Sequence, residues 1–355
     1  MLHVAPASSD LRVADAFEHE HLELFHDRAT GLTGAVAIHS TALGPAMGGL
    51  RIRACADVEA AAVDALRLAR AMTLKNASAG LALGGGKAVL VDDGRWEDRD
   101  ARLLAFAGVV ERLGGRYVTA EDVGTTPADI DLIATRTRWA VGRSPANGGV
   151  GDPSPATART VFGAIAAAVG PGLGAASLEG VRVGVLGVGK VGGALVGLLA
   201  RAGAHVVAAD GDDSRAQAYA ARYDTVEAVP TEGFIARDLD VLAPCAMGEL
   251  ISAGDVPGLG CRIVAGAANN PLLDRATAVA LHGAGILYVP DFIANSGGIV
   301  HVASEFYGVD EQTRDAQLDA CVGRVGDLLA EARERDALPL DVAFERALQT
   351  ISQKA

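Results

Sequence analysis

The chain has 355 residues, half of them hydrophobic, with 44 glycines and a formal net charge of -13. That length exceeds one comfortable core and suits two domains with a cleft between them for chemistry, and the apolar fraction excludes a disordered chain. The negative charge, with no basic block to interrupt it, argues against nucleic acid and anionic membrane surfaces as partners.

The opening MLHVAPASSD lacks a charged stretch followed by an apolar one, and no run of about 18 apolar residues follows, so a cytoplasmic location is expected. Residues 22–27 and 32–39 alternate in polarity around Ala29-Thr30-Gly31 and predict a β-hairpin. Residues 44–49, GPAMGG, read as a glycine-rich loop leading into a helix over about 57–74. A second glycine-rich segment, 81–87, precedes a strand at 88–91, a helix to about 113 and a strand at 116–119. Gly, Pro, Ser and Asn dominate 141–155, which marks a domain boundary. After a helix from about 156, strands at 181–186, 205–209, 241–242, 263–264 and 287–288 alternate with helical patterns, as in a doubly wound sheet. Residues 317–329 and 340–351 predict amphipathic helices. The fold class is therefore α/β with two domains, divided into residues 1–141, 142–330 and a C-terminal helix, 331–355, packing back on the first domain.

The strand at 181–186 runs straight into Gly187-Val188-Gly189-Lys190-Val191-Gly192, and Asp210 ends the next strand. In that setting Gly187 permits the tight turn, Gly189 lets backbone amides approach a pyrophosphate, and Gly192 lets the helix lie close to the strand. Asp210 would accept hydrogen bonds from a ribose and repel a 2′-phosphate, so NAD is expected over NADP.

Cys55, Cys245, Cys261 and Cys321 are far apart and lack metal-ligand spacing, so they read as reduced and mostly buried, with no zinc or other metal indicated. A reactive thiol stays open only at Cys245. Among the basic residues only Lys75, Lys87, Lys190 and Lys354 are lysines. Since guanidinium does not deprotonate near neutral pH, a lysine retained in an apolar stretch suggests that a titratable amine is needed there. Lys75 and Lys87 are such residues, and burying two amines requires an anion, for which Asp122 in TAEDVGTT is the candidate.

Together GPAMGG, AMTLKNASAGLALGGGK, GRYVTAEDVGTT, GVGKVGG, APCAMG, GAANN and PDFIANSGG resemble the leucine, valine and phenylalanine dehydrogenases, within the wider glutamate dehydrogenase superfamily. The resemblance implies an amino-terminal domain for substrate, catalysis and oligomerisation, a Rossmann domain for NAD, and a homo-oligomer; the amino-terminal hairpin could pair across subunits. It further implies that Lys75 binds the substrate carboxylate, that Lys87 polarises the 2-oxo group and activates water, and that Asp122 exchanges protons with the substrate nitrogen. Gly48 and Gly49 would let the backbone lie against the substrate, and Thr157 and Asn269 match positions that hold the nicotinamide carboxamide. The substrates implied are an L-amino acid, or in reverse a 2-oxo acid and ammonia.

By the same resemblance the side-chain pocket is lined by Met47, Met72, Ala120, Val141, Ile299 and Val302, all apolar, which disfavours glutamate. Ala120 and Val302 match aliphatic-accepting members, where aromatic-accepting ones tend to carry Gly and Leu. Met47, Leu50 and Val141 depart from the usual leucine dehydrogenase pattern, and AMTLK, APCAMG and GGIVHV lean toward a phenylalanine dehydrogenase. The expectation is NAD-dependent deamination of leucine, valine or isoleucine. Phenylalanine or tryptophan as substrate is the alternative, and a non-catalytic NAD-binding scaffold is the alternative of another class.

Overall fold

The computed structural model describes residues 18–246 and 250–354. The opening MLHVAPASSD and the end of the APCAMG block, Met247 and Gly248, lie outside the described residues. The fold is α/β and divides into two units, residues 1–77, 82–151 and 351–355, and residues 78–81 and 152–350.

The first unit opens with the hairpin β1 (His21–His26) and β2 (Thr33–Ser40). Its turn is closed by Asp27, whose Oδ1 accepts from the Thr30 amide and hydroxyl at 2.8 and 2.7 Å. Then follow β3 (Ala46–Ala54), α1 (Val58–Ser78), β4 (Gly84–Asp92), α2 (Arg99–Arg112), β5 (Tyr117–Glu121) and α3 (Pro127–Ala134). The sheet order is β1-β2-β4-β3-β5, with β4, β3 and β5 parallel and β2 antiparallel to both its neighbours. Ala61, Ala65 and Ala69 recur at four-residue spacing along α1 and pack on Ala35, Ala37 and Val89. The other face carries the larger core, where Leu103, Phe106 and Val110 of α2 and Ile130 and Ile133 of α3 meet Val36, Leu50, Leu90 and Tyr117. Thr126 and Asp129 form a capping box that starts α3.

GPAMGG, expected as a loop, runs into β3 from Ala46, and the second glycine-rich segment opens β4 at Gly84, ahead of the strand start expected at 88. Glycine is a poor strand former in isolation, but here the neighbours leave no space for a side chain. A Cβ at Gly48 would run into the Gly86 carbonyl, and one at Gly85 into the Thr73 backbone on α1.

The second unit comprises α4 (Ser154–Leu173), β6 (Arg182–Leu186), α5 (Lys190–Arg201), β7 (His205–Ala209), α6 (Asp213–Ala220), β8 (Val226–Ala228), β9 (Val241–Pro244), β10 (Ile263–Val264), α7 (Arg275–Gly283), β11 (Leu287–Tyr288), α8 (Asp291–Ala294), α9 (Gly297–Tyr307), α10 (Glu311–Glu334) and α11 (Pro339–Ser352). Its six strands are all parallel in the order β11-β10-β9-β6-β7-β8. The strand order therefore reverses between β6 and β9, the place where doubly wound sheets bind ligands. One helix among the described residues, α4, is long and apolar enough to cross a membrane; Val161, Ala164, Ile165 and Ala168 on it are buried in this unit's core. The helix α11 buries Val342 and Ala343 in the same core.

Candidate active site

In the first unit the parallel register sets chemistry on one face of the sheet. Leu50 pairs with Ala88 of β4 and Gly49 with Ala120 of β5, so Lys87, Gly49 and Ala120 form a row across three strands. Neighbours in a parallel row, and residues two apart on one strand, share a face. Met47, Gly49 and Arg51 of β3 therefore lie on the side of Lys87 and Ala120, the side that α1 covers. Lys87 lies on β4 and Asp122 just past the end of β5, with β3 between those strands, yet their side chains form an ion pair, Nζ to Oδ2. They meet over Gly49, where a Cβ would come within 2.7 Å of the Asp122 Cβ. The glycine is what lets a lysine and a carboxylate reach each other across an intervening strand.

The Lys87 side chain is 7 % exposed and that of Asp122 21 %. Desolvation pushes the Asp122 carboxyl up, but the charges of Lys87 and Arg51, the Lys87 hydrogen bond and the Val123 amide outweigh it and hold the pKa at about 2. Arg51 Nε reaches the same Oδ2 at 3.3 Å. Thr125 supports the turn from below: its hydroxyl takes the Asp122 amide at 2.9 Å and donates to the Asp122 and Leu50 carbonyls. Tyr117, fully buried, donates to the Gly48 carbonyl at 2.8 Å, and Asn76 Nδ2 donates to the carbonyls of Met47 and Gly84. These bonds fix the backbone of the Gly48-Gly49 segment. Lys75 lies half-buried on α1, Met72 likewise, while Met47, Ala120 and Val141 are buried.

In the second unit Gly187 has φ +99, in the left-handed region that its turn requires. A Cβ there would lie 2.6 Å from the Ala246 amide nitrogen. At Gly192 a Cβ would strike the Gly187 carbonyl and come within 3.1 Å of Cys245, so helix α5 starts hard against the turn. Above Gly189 nothing lies within 4 Å. The residues thus fit a dinucleotide: a tight turn, a helix N-terminus and open space where a pyrophosphate would approach. Asp210 accepts from the Asp212 amide through Oδ1 at 2.9 Å, with Arg215 at 3.6 Å. Thr157 Oγ1 donates to the Pro153 carbonyl on α4. Asn269 Oδ1 accepts from Asn295 Nδ2 at 3.0 Å, which leaves the Asn269 amide nitrogen as its outward donor. Ile299 and Val302 are buried on α9. Burial pushes the Cys245 thiol up to about 12, so it is a packing residue beneath the turn rather than a nucleophile.

Sequence reasoning passed over Arg51, Asp64, Asn76, Tyr117 and Asn295. Asp64 had a usable signal: a carboxylate among Ala61, Ala65 and Leu66, on the inward stripe of an otherwise apolar helix face.

Residues 19–139 match the dimerisation domain of Glu/Leu/Phe/Val dehydrogenases, and residues 210–314 match the Glutamate/Leucine/Phenylalanine/Valine dehydrogenase family model. The chain is 43 % identical to the valine dehydrogenase of Streptomyces albus, over 94 % of this chain and 92 % of that one. It is 39 % identical to the leucine dehydrogenase of Bacillus subtilis, over 94 % and 91 %. The crystal structure of L-tryptophan dehydrogenase from Nostoc punctiforme superposes with a TM-score of 0.83 at 33 % identity, covering 96 % of this chain and 98 % of that one. The chain belongs to the Glu/Leu/Phe/Val dehydrogenase family. It is an amino-acid dehydrogenase, an oxidoreductase working with a nicotinamide cofactor, which removes the scaffold reading.

Proposed function

We propose that the chain catalyses the NAD-dependent, reversible oxidative deamination of leucine, valine and isoleucine to the 2-oxo acid and ammonia. The observation that carries this reading is the Lys87–Asp122 pair, an amine and a carboxylate held together over a glycine on a mostly dry sheet face. Lys75 holds the substrate carboxylate. Asp122, ionised at neutral pH, takes a proton from the substrate ammonium group and leaves a neutral amine. The bound nicotinamide supplies the hydride acceptor for the Cα hydrogen. Lys87, its own proton first released to solvent, takes a proton from the water that attacks the resulting iminium carbon and becomes an ammonium group; Asp122 returns its proton to the nitrogen, and ammonia departs as the carbinolamine hydroxyl gives its proton to solvent. In the reverse direction the same ammonium group polarises the 2-oxo oxygen.

The glycine turn of Gly187, Gly189 and Gly192 would hold the pyrophosphate, with Thr157 and Asn269 at the carboxamide. NAD is assigned because a carboxylate at Asp210 repels a 2′-phosphate. A homo-oligomer is supported by the match to a dimerisation domain and by β1, an edge strand that exposes Leu22 and Leu24. An aromatic substrate is the second reading, favoured by the tryptophan dehydrogenase superposition. The test is NADH oxidation with ammonia and a panel of 2-oxo acids. The highest kcat/KM falls on the branched-chain acids if the reading holds, and on phenylpyruvate or indolepyruvate if the second one does.

A further inference from the structure

Asp64 is a carboxylate on the sheet-facing stripe of α1, its side chain 9 % exposed, among alanines. Burying such a charge is costly unless it is paired, and here three guanidinium groups surround it: Arg51 and Arg53 at 3.4 Å and Arg67 at 3.3 Å. Arg67, one helical turn away on α1, and Arg53, half exposed, are enough to offset that charge locally. Arg51 is the one of the three that also reaches Asp122.

Arg51 follows Gly49 by two residues on β3 and so lies on the same face, beside the gap through which Lys87 and Asp122 meet. Its Nε approaches Asp122 Oδ2 while its Nη1 approaches Asp64 Oδ2. One planar fork thus spans two carboxylates through different nitrogens, which a lysine ammonium on a flexible stem does not reproduce. Lys87 and Arg51 converge on one oxygen of Asp122. A carboxylate gripped this way cannot swing about its own Cα–Cβ bond, and the direction it presents to a substrate nitrogen is set.

We propose that Arg51, itself held by Asp64 of α1, is a positioning residue for Asp122. The inference rests on the role assigned to Asp122 above. The groups seen to act on Asp122 include Lys87 from β4, Arg51 from β3 and the buried Tyr117 phenol on β5, which burial keeps protonated. Behind Arg51 stand Asp64 and Arg67 on α1 and Arg53 on β3. Removing one cation from this cluster makes its protons harder to lose. The acid limb of the deamination profile then moves to higher pH, a change that lost packing alone does not produce.

The experiment compares kcat and KM for L-valine against pH in the full-length parent, Arg51→Gln, Arg51→Lys, Asp64→Asn and Asp122→Asn, with near-UV circular dichroism as the check of folding. In Arg51→Gln the acid limb is expected to rise by about one pH unit and kcat to fall by roughly tenfold or more, with KM within about threefold. Arg51→Lys, which keeps the charge and loses the fork, falls between this variant and the parent. Asp64→Asn lowers kcat in the same sense, and it decides the matter with Arg51→Lys if Arg51→Gln does not fold. Acid limbs and kcat values coinciding with the parent's in the folded Arg51 and Asp64 variants overturn the proposal while an inactive Asp122→Asn leaves the role of Asp122 standing. An active Asp122→Asn overturns both.

Discussion

Asp210 Oδ2 accepts the backbone amide of Val188 at 2.7 Å, so the carboxylate that follows β7 also holds the middle of the glycine turn after β6. Its replacement is therefore expected to affect turn geometry as well as the ribose binding proposed for it. In Asp210→Ser the KM for NADH is expected to rise by about tenfold or more while the preference for NADH over NADPH shrinks. Steady-state measurements with both coenzymes in parent and variant decide this. A parent that uses NADPH as well as NADH would remove the assigned role of Asp210.

Lys87→Ala should lose activity by about 10²- to 10⁴-fold in kcat, the usual scale for a proton-transfer group, with the Kd for NADH unchanged. Fluorescence titration of NADH separates the two effects. Turnover near the parent's level in a folded Lys87→Ala would mean that the pair with Asp122 is structural.

Ala120 is buried in the same row as Lys87 and Gly49, so its methyl group is placed to limit the side chain that can lie beside the reacting carbon. Ala120→Gly opens room for a ring and removes contact worth about 0.8 kcal/mol per CH₂ from aliphatic substrates, close to fourfold. The ratio of kcat/KM for L-phenylalanine to that for L-leucine should rise accordingly. A parent already favouring phenylalanine tenfold, or a ratio unmoved by the substitution, would give the position no part in specificity.

His39 bonds through Nδ1 to Thr73 Oγ1 at 2.9 Å, and its ring meets that of His19 edge-on at 4.8 Å. Burial, reinforced by His19 and Arg70 and partly opposed by Glu20, lowers its pKa from 6.5 to about 4. Between those values the unfolded chain binds more protons than the folded one. The stability from neutral His39 is therefore complete above about pH 6.5 and is lost as pH falls toward 4. Thermal unfolding at pH 7 and pH 4.5 should show a smaller drop in Tm for His39→Gln than for the parent. Equal drops would assign the acid sensitivity to other groups.

The second unit was largely legible because its signals are local: a β-branched run, three spaced glycines and an acid closing the next strand all lie within about thirty residues. The first unit was less so. That β3 lies between β4 and β5 depends on partners far along the chain, and glycines at 48 and 49 gave a loop signal that close packing overrides. Lys75, Lys87 and Asp122 stood out by composition and by resemblance. Arg51 did not, because in a chain that uses arginine for most of its positive charge one more arginine carries no contrast, and only the register shows it facing Asp122.

The lysine distribution has a practical outcome for anyone attaching this enzyme to a solid support or a dye. Lys87 is buried and Lys75 half-buried, while Lys190 and Lys354 are exposed. Amine-reactive linkers will therefore find two accessible side-chain anchors, one at the C-terminal tail and one on the first residue of α5, against the cofactor turn. Coupling at the second would tether the protein beside the turn proposed to hold the coenzyme, and if that proposal holds, saturating NADH during conjugation should steer attachment to the tail.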